Sequence, residues 1–189
     1  MAARVVPIES ADDPRLVPFS QIRERDLAGR TASFIVEGKF ALRVLVDRGM
    51  YPVRALLLAE NRVDAVRDVV DRLPESVEAY VVPQRAMDAL VGFHIHRGIL
   101  ALAERAAVPS ADELLDEMPD GPCVVVGLLG ILNHDNVGGI FRNAAAFGAS
   151  AVLMDAVTCD PLYRKAIRVS SGAALFVPFA RERDPRALV

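Results

Sequence analysis

Asn136, Gly138 and Arg142, in the spacing Asn-x-Gly-x-x-x-Arg, follow shortly after an apolar run, Val124 to Leu129, and the polar turn Asn133-His134-Asp135. An arginine fork can grip two phosphate oxygens at once, and an asparagine offers both a donor and an acceptor to a hydroxyl, so this pattern suits a sugar-phosphate. The plainer reading of the same residues is Asn136 as a helix N-cap, a permissive turn glycine and a surface arginine. His134 has the chemistry of a general base, but in an Asn-His-Asp-Asn turn it reads first as a solvated turn residue. A second stretch, Arg164, Lys165 and Arg168 followed by Ser170-Ser171-Gly172, reads either as an edge that tracks phosphates or as an amphipathic helix with a basic outer face and a glycine stop.

Other chemistries find less support. Gly127-Leu-Leu-Gly130 is not the dinucleotide fingerprint, and no phosphate-binding G-x-x-x-x-G-K-[ST] loop occurs. His94 and His96 alternate along an extended segment with no cysteine or carboxylate beside them, and Cys123 and Cys159 stand far apart, one inside an expected buried strand. The expectation is no metal site and no disulfide. The net charge of −3 argues against a wholly basic nucleic-acid coat, yet charge is uneven: residues 105–122 are acidic, whereas residues 161–189 carry six basic against two acidic side chains, a net of +4. No apolar run reaches the length of a membrane span and the first residues lack a signal-peptide pattern, so a cytoplasmic protein with no membrane partner is expected.

The elements that must position these residues alternate. After a leading segment, 1–33, with a short helix within Phe19 to Leu27, strands are expected at Ala32–Val36, Val53–Leu58, Val77–Val82 and Gly98–Ala103. Helices are expected at Lys39–Asp47, Asn61–Leu73 and Pro83–Leu90. That pitch predicts a small α/β domain over 1–104. Residues 105–122 read as a linker with one short helix after the capping box Ser110-x-x-Glu113. From Cys123 a second α/β domain begins. Its first strand, lacking alternation, is expected to be parallel and covered on both faces, and Gly148 is expected to stop the next helix. A strand over Ala149–Met154, a helix over Pro161–Val169, a strand over Ala174–Phe179 and a helical start over Arg181–Val189 complete the expectation.

Asn136, Gly138, Arg142, Ala144, Phe147 and Gly148 together resemble the first signature motif of the SpoU-like (TrmH-type) RNA 2′-O-ribose methyltransferases, a branch of the knotted SPOUT superfamily. The resemblance continues through Lys165 to Ala173. It reaches upstream to residues 8–16, 34–46 and 96–105, which are similar to the family's N-terminal substrate-binding domain. It implies an α/β RNA-binding domain followed, over 123–189, by the first part of an α/β-knot methyltransferase domain. The family's second and third motifs, which hold S-adenosyl-L-methionine in the knot, do not occur in these 189 residues. The expectation is therefore a form truncated before the knot, whose cofactor residues lie outside the chain and which is inactive alone.

For the complete enzyme the resemblance implies a homodimer acting on tRNA or rRNA, with Arg142 and Asn136 as catalytic residues. Glu37, Gly38, Arg97, Arg164, Lys165 and Arg168 are expected to meet the RNA. Two other classes remain open on the residues alone: a non-catalytic module for structured RNA, and a small-molecule α/β enzyme using the turn Asn133–Asn136.

Overall fold

The computed structural model describes residues 2–20, 32–92 and 97–184. The chain divides into two compact units, Met1–Arg105 and Ala106–Val189.

In the first unit β1 (Arg4–Pro7) lies in the segment expected to precede the regular elements. It is followed by β2 (Ser33–Glu37), α1 (Lys39–Arg48), β3 (Val53–Ala59), α2 (Arg67–Val70), β4 (Glu78–Val82), α3 (Gln84–Val91) and β5 (Ile99–Glu104). The sheet order is β1-β4-β3-β5-β2. β1, β4 and β3 run parallel, while β5 is antiparallel to both β3 and β2. Leu16, Phe19, Ile35, Leu57, Met87 and Leu100 belong to one buried cluster. α1 ends where its glycine says it should, with Gly49 at φ 64° and its N–H bonded to the Leu45 carbonyl.

The helix expected over Asn61–Leu73 is instead two 3-10 turns, Glu60–Arg62 and Asp64–Val66, and the single turn of α2. Asn61 is no cap. Val63, Val66 and Val69 recur at intervals of three, the period of the tighter helix, and Arg43 takes the Ala65 carbonyl (3.1 Å) that an α-helix would have used. The expected helix within Phe19–Leu27 falls largely on residues outside those described.

The second unit contains α4 (Ala111–Asp116), β6 (Val125–Leu128), α5 (His134–Ala146), β7 (Ala151–Asp155), α6 (Arg164–Val169) and β8 (Phe179–Glu182). Its sheet, β6-β7-β8, is wholly parallel. Residues 106–122, read from the sequence as a linker, fall within this unit. The capping box at Ser110 forms, and the Ala111 N–H donates to the Glu182 carboxylate at 2.8 Å. Ala111 and Leu114 pack with Leu153 and Ala180.

β6 departs from expectation. It is an edge strand, Val125 and Val126 are only half-buried, and Val124, Leu129 and Cys123 are exposed. The absence of alternation does not reflect cover on both faces among the described residues. β7, in the middle, is the strand buried throughout.

The strand expected over Ala174–Phe179 is replaced by a 3-10 turn, Ala173–Leu175, after Gly172 at φ 83°, and β8 starts only beyond Pro178, which has no N–H to give a ladder. Arg181 and Glu182, expected in a helix, belong to β8; residues 185–189 lie outside those described. α6 starts three residues later than expected, after the Leu162 N–H turns back onto the Asp160 carboxylate (2.9 Å).

Candidate functional site

α5 leaves the C-terminal end of β6 through the loop 129–132, the side of a parallel sheet where ligands bind in α/β proteins. Its N-cap is Asn133, whose Oδ1 accepts the N–H of Asp135 (2.7 Å) and of Asn136 (3.4 Å). The N-cap role considered for Asn136 therefore belongs to Asn133, and Asn136 stands inside the first turn with its side chain exposed. Arg142 is also exposed, and its guanidinium forms no hydrogen bond or ion pair among the described residues. Six positions separate the two, about 9 Å along the axis and about 120° around it, so they do not share one face.

Gly138 is not a turn residue. It lies in the helix, and a Cβ built on it would stand 2.7 Å from the Ala166 carbonyl oxygen and 2.8 Å from the Val169 Cβ. The glycine is what lets the backbones of α5 and α6 touch. Phe141, fully buried on the same helix, meets Phe179 edge-on at 5.9 Å between ring centres. These contacts seat α5 against α6 and β8.

Across this contact α6 carries the second basic stretch. Lys165 pairs with Asp135 at 2.7 Å, both side chains about half exposed, so much of its charge is answered within the fold. Arg168 is exposed and without a partner among the described residues; Arg164 is half-buried. His134, expected to be solvated, is partly buried with its ring 4.5 Å from that of Tyr163 and its Nε2 buried without a partner. Burial lowers its pKa first and Lys165 second, against the opposing pull of Asp135 and Asp160.

The sequence reading missed a polar cluster at the strand ends. Asp155, the last residue of β7, accepts from the Gly130 N–H and from both the N–H and the hydroxyl of Thr158. Burial raises the Asp155 pKa, but these hydrogen bonds outweigh it and hold the carboxyl below its ordinary value. Cys159 donates to the Leu132 carbonyl at 2.7 Å, and burial pushes its thiol up.

In the first unit Glu37, Gly38 and Arg97 come together at the end of β2. Gly38, at φ 92°, starts α1, and a Cβ there would lie 2.9 Å from the Arg97 Cδ. Arg97 is exposed, whereas Glu37 is buried at 8% exposure. Arg62, which the sequence reading passed over, packs beside Gly98 on the same sheet end: a Cβ on Gly98 would be 3.0 Å from its Cγ. His94 and His96 lie outside the described residues. Among the described residues there is no group of three or more His, Cys, Asp or Glu able to hold a metal, and no helix is long and apolar enough to cross a membrane.

Residues 123–189 match the SpoU rRNA Methylase family. Uncharacterized tRNA/rRNA methyltransferases of Mycobacterium bovis and Mycobacterium tuberculosis are 36% identical to the chain over 177 residues, covering 92% of it and 59% of their own length. The chain thus spans about three-fifths of these relatives. Among solved structures, an AdoMet-bound rRNA methyltransferase from Sinorhizobium meliloti superposes with a TM-score of 0.74 at 22% identity, covering 94% of this chain and 64% of that one. The SpoU methyltransferase AviRb from Streptomyces viridochromogenes, in complex with AdoMet, gives 0.73 at 20% identity over 92% and 63%. At those identities the likeness is one of fold.

Proposed function

We propose, from the match of residues 123–189 to the SpoU rRNA Methylase family, that the chain is the RNA-facing part of an S-adenosylmethionine-dependent RNA 2′-O-ribose methyltransferase. Arg142 carries this reading: an exposed guanidinium without a partner among the described residues, on the helix of the matched segment. The donor, when bound, supplies an electrophilic methyl group on a sulfonium sulfur. Arg142 holds the phosphate beside the target ribose and stabilises the negative charge that grows on the 2′-oxygen as its proton leaves. It is not the base, because a guanidinium is a fixed cation with five donors and no acceptor for a proton. Asn136, set around the helix from Arg142, orients the ribose hydroxyl rather than the same phosphate. Arg168 and Lys165 on α6 extend the contact along the RNA backbone, with Arg164 behind them. In the first unit Arg97 and the Gly38 backbone form the RNA-selecting surface, with Glu37 beneath it.

Asp155 and Thr158 at the end of β7 are engaged with each other and with the Gly130 N–H after β6, and Leu129, Leu132 and Val157 are exposed and apolar. The same reading places the enzyme in the cytoplasm with its RNA and makes it a homodimer. The exposed Val124, Leu129, Leu132, Phe147 and Val157 on the second unit support an assembly.

In the full-length protein, Arg142→Ala is expected to lower methyl transfer to RNA about a hundredfold or more. The thermal midpoint should stay within a few degrees, since the side chain is exposed and makes no hydrogen bond or ion pair among the described residues. Unchanged turnover would overturn the role.

A further inference from the structure

Asp155 and Thr158 are a buried polar pair, 7% and 3% exposed, to which the proposed function gives no part. Asp155 Oδ2 accepts the Gly130 N–H at 2.9 Å, and Oδ1 accepts the Thr158 N–H at 2.8 Å and the Thr158 hydroxyl at 2.6 Å. A hydroxyl has one proton, and Asp155 is nearer than the Leu128 carbonyl at 3.4 Å, so the Thr158 Oγ1 donates to Asp155 and accepts the Ile131 N–H at 3.2 Å. Beyond them the Cys159 N–H donates to the Ile131 carbonyl at 2.8 Å and its thiol to the Leu132 carbonyl. From β8, Arg181 Nη1 donates to the carbonyls of Asp155 (2.8 Å), Ala156 (3.2 Å) and Thr158 (2.8 Å).

The consequence is geometric. Loop 129–132 has no ladder or helix of its own, yet Gly130, Ile131 and Leu132 are each tied to the 155–159 segment, and the next residue is the N-cap Asn133. A helix is stiff, so wherever its first turn is set the later turns follow. A misplacement of about 1 Å at a reacting group is enough to cost about a hundredfold in rate.

We propose that Asp155 and Thr158 are positioning residues that hold loop 129–132 so that α5 starts at Asn133 and presents Asn136 and Arg142 at the correct height. The catalytic part of this inference rests on the proposed function; the placement of the helix start does not.

Amide hydrogen exchange followed by NMR in the 189-residue chain tests the placement. Thr158→Val keeps the side-chain shape and removes the hydroxyl, whereas Thr158→Ser keeps the hydroxyl. In Thr158→Val, exchange should quicken at least tenfold at Gly130 and Ile131 and also at the capped amides of Asp135 and Asn136, and Thr158→Ser should restore all four. Faster exchange confined to Gly130 and Ile131, or at none of them, overturns the proposal. If Thr158→Val does not fold, Asp155→Asn, which loses an acceptor toward Gly130 or Thr158, is held to the same pattern.

In the full-length protein, Thr158→Val should lower kcat for RNA methylation at least tenfold with KM for RNA within twofold, and Thr158→Ser should lie within twofold of wild type in both. An unchanged kcat, or a loss in KM alone, overturns the catalytic part. A wild-type protein that transfers no methyl group to RNA, with the exchange pattern intact, defeats the proposed function and leaves the placement of α5 standing.

Discussion

Arg142 is available because of what its neighbours do. No acidic residue stands three or four positions from it on the helix, and Asp135, seven positions before it, is paired with Lys165, so the guanidinium is left for a ligand. Asn136 is available because Asn133 took the cap. The sequence shows both residue types and their spacing, but two asparagines three apart at a helix start cannot be told apart as cap and first-turn residue without the backbone angles. Asp155 is the opposite case: nothing in Asp-Ala-Val-Thr marks a buried carboxylate, because three of its four hydrogen bonds are local turn bonds and the fourth reaches back to Gly130.

Its chemistry gives a pH test. The folded pKa of Asp155 lies below the ordinary value, so its stabilisation is fully present above the unfolded pKa and is lost as pH falls through the folded one. Asp155→Asn should be less stable than wild type by about 1–3 kcal/mol at pH 7. That gap should narrow as the solution is taken below about pH 4, where the unfolded carboxyl begins to protonate. Urea unfolding of both proteins at pH 7 and pH 3 checks it; a gap of constant size means the carboxylate is not held in its ionised form by the fold.

At the scale of elements the contact between α5 and α6 makes the sharpest prediction, because two adjacent glycines should answer oppositely. At Gly138 an added methyl meets the Ala166 backbone carbonyl, which cannot swing aside, and overpacking of about 1–3 kcal/mol outweighs the helix preference of alanine, about 1 kcal/mol. At Gly139 nothing lies within 4 Å, so Gly139→Ala should stabilise by about 0.5–1 kcal/mol. Thermal melts of the two variants with opposite signs support the contact; equal signs contradict it.

Elements that announce themselves locally were legible: α1 between its glycines, α3 before Gly92 and the capping box of α4. The role of Gly138 was not, since it depends on a helix 28 residues further on. The 60–73 stretch misled because valines at intervals of three suit two helical periods, and the late start of β8 depends on Pro178. Exposure of β6 depends on its place at the sheet edge, which no local pattern reports.

For the whole molecule, the alternating elements made the α/β class legible, and the chain breaks between units at Arg105, within one residue of the end of β5. Residues 106–122 are more than a bare connection, because α4 has a buried face of its own. The proposed homodimer is tested by sedimentation velocity on the full-length protein, at several concentrations. A single species of twice the chain mass is expected, and a monomer throughout ends the proposal.

β2 and β5 carry one more consequence, for synthesis on the ribosome. Their antiparallel pairing, from Ser33 opposite Glu104 to Glu37 opposite Leu100, joins an early strand of the first unit to its last. β2 must therefore wait, its backbone groups unmatched by β5, while more than sixty residues emerge. Once Glu104 clears the exit tunnel the first sheet can close, before any strand of the second has emerged. Nascent chains stalled a few tens of residues beyond Arg105 should already hold a protease-resistant first unit, whereas those stalled before β5 should not.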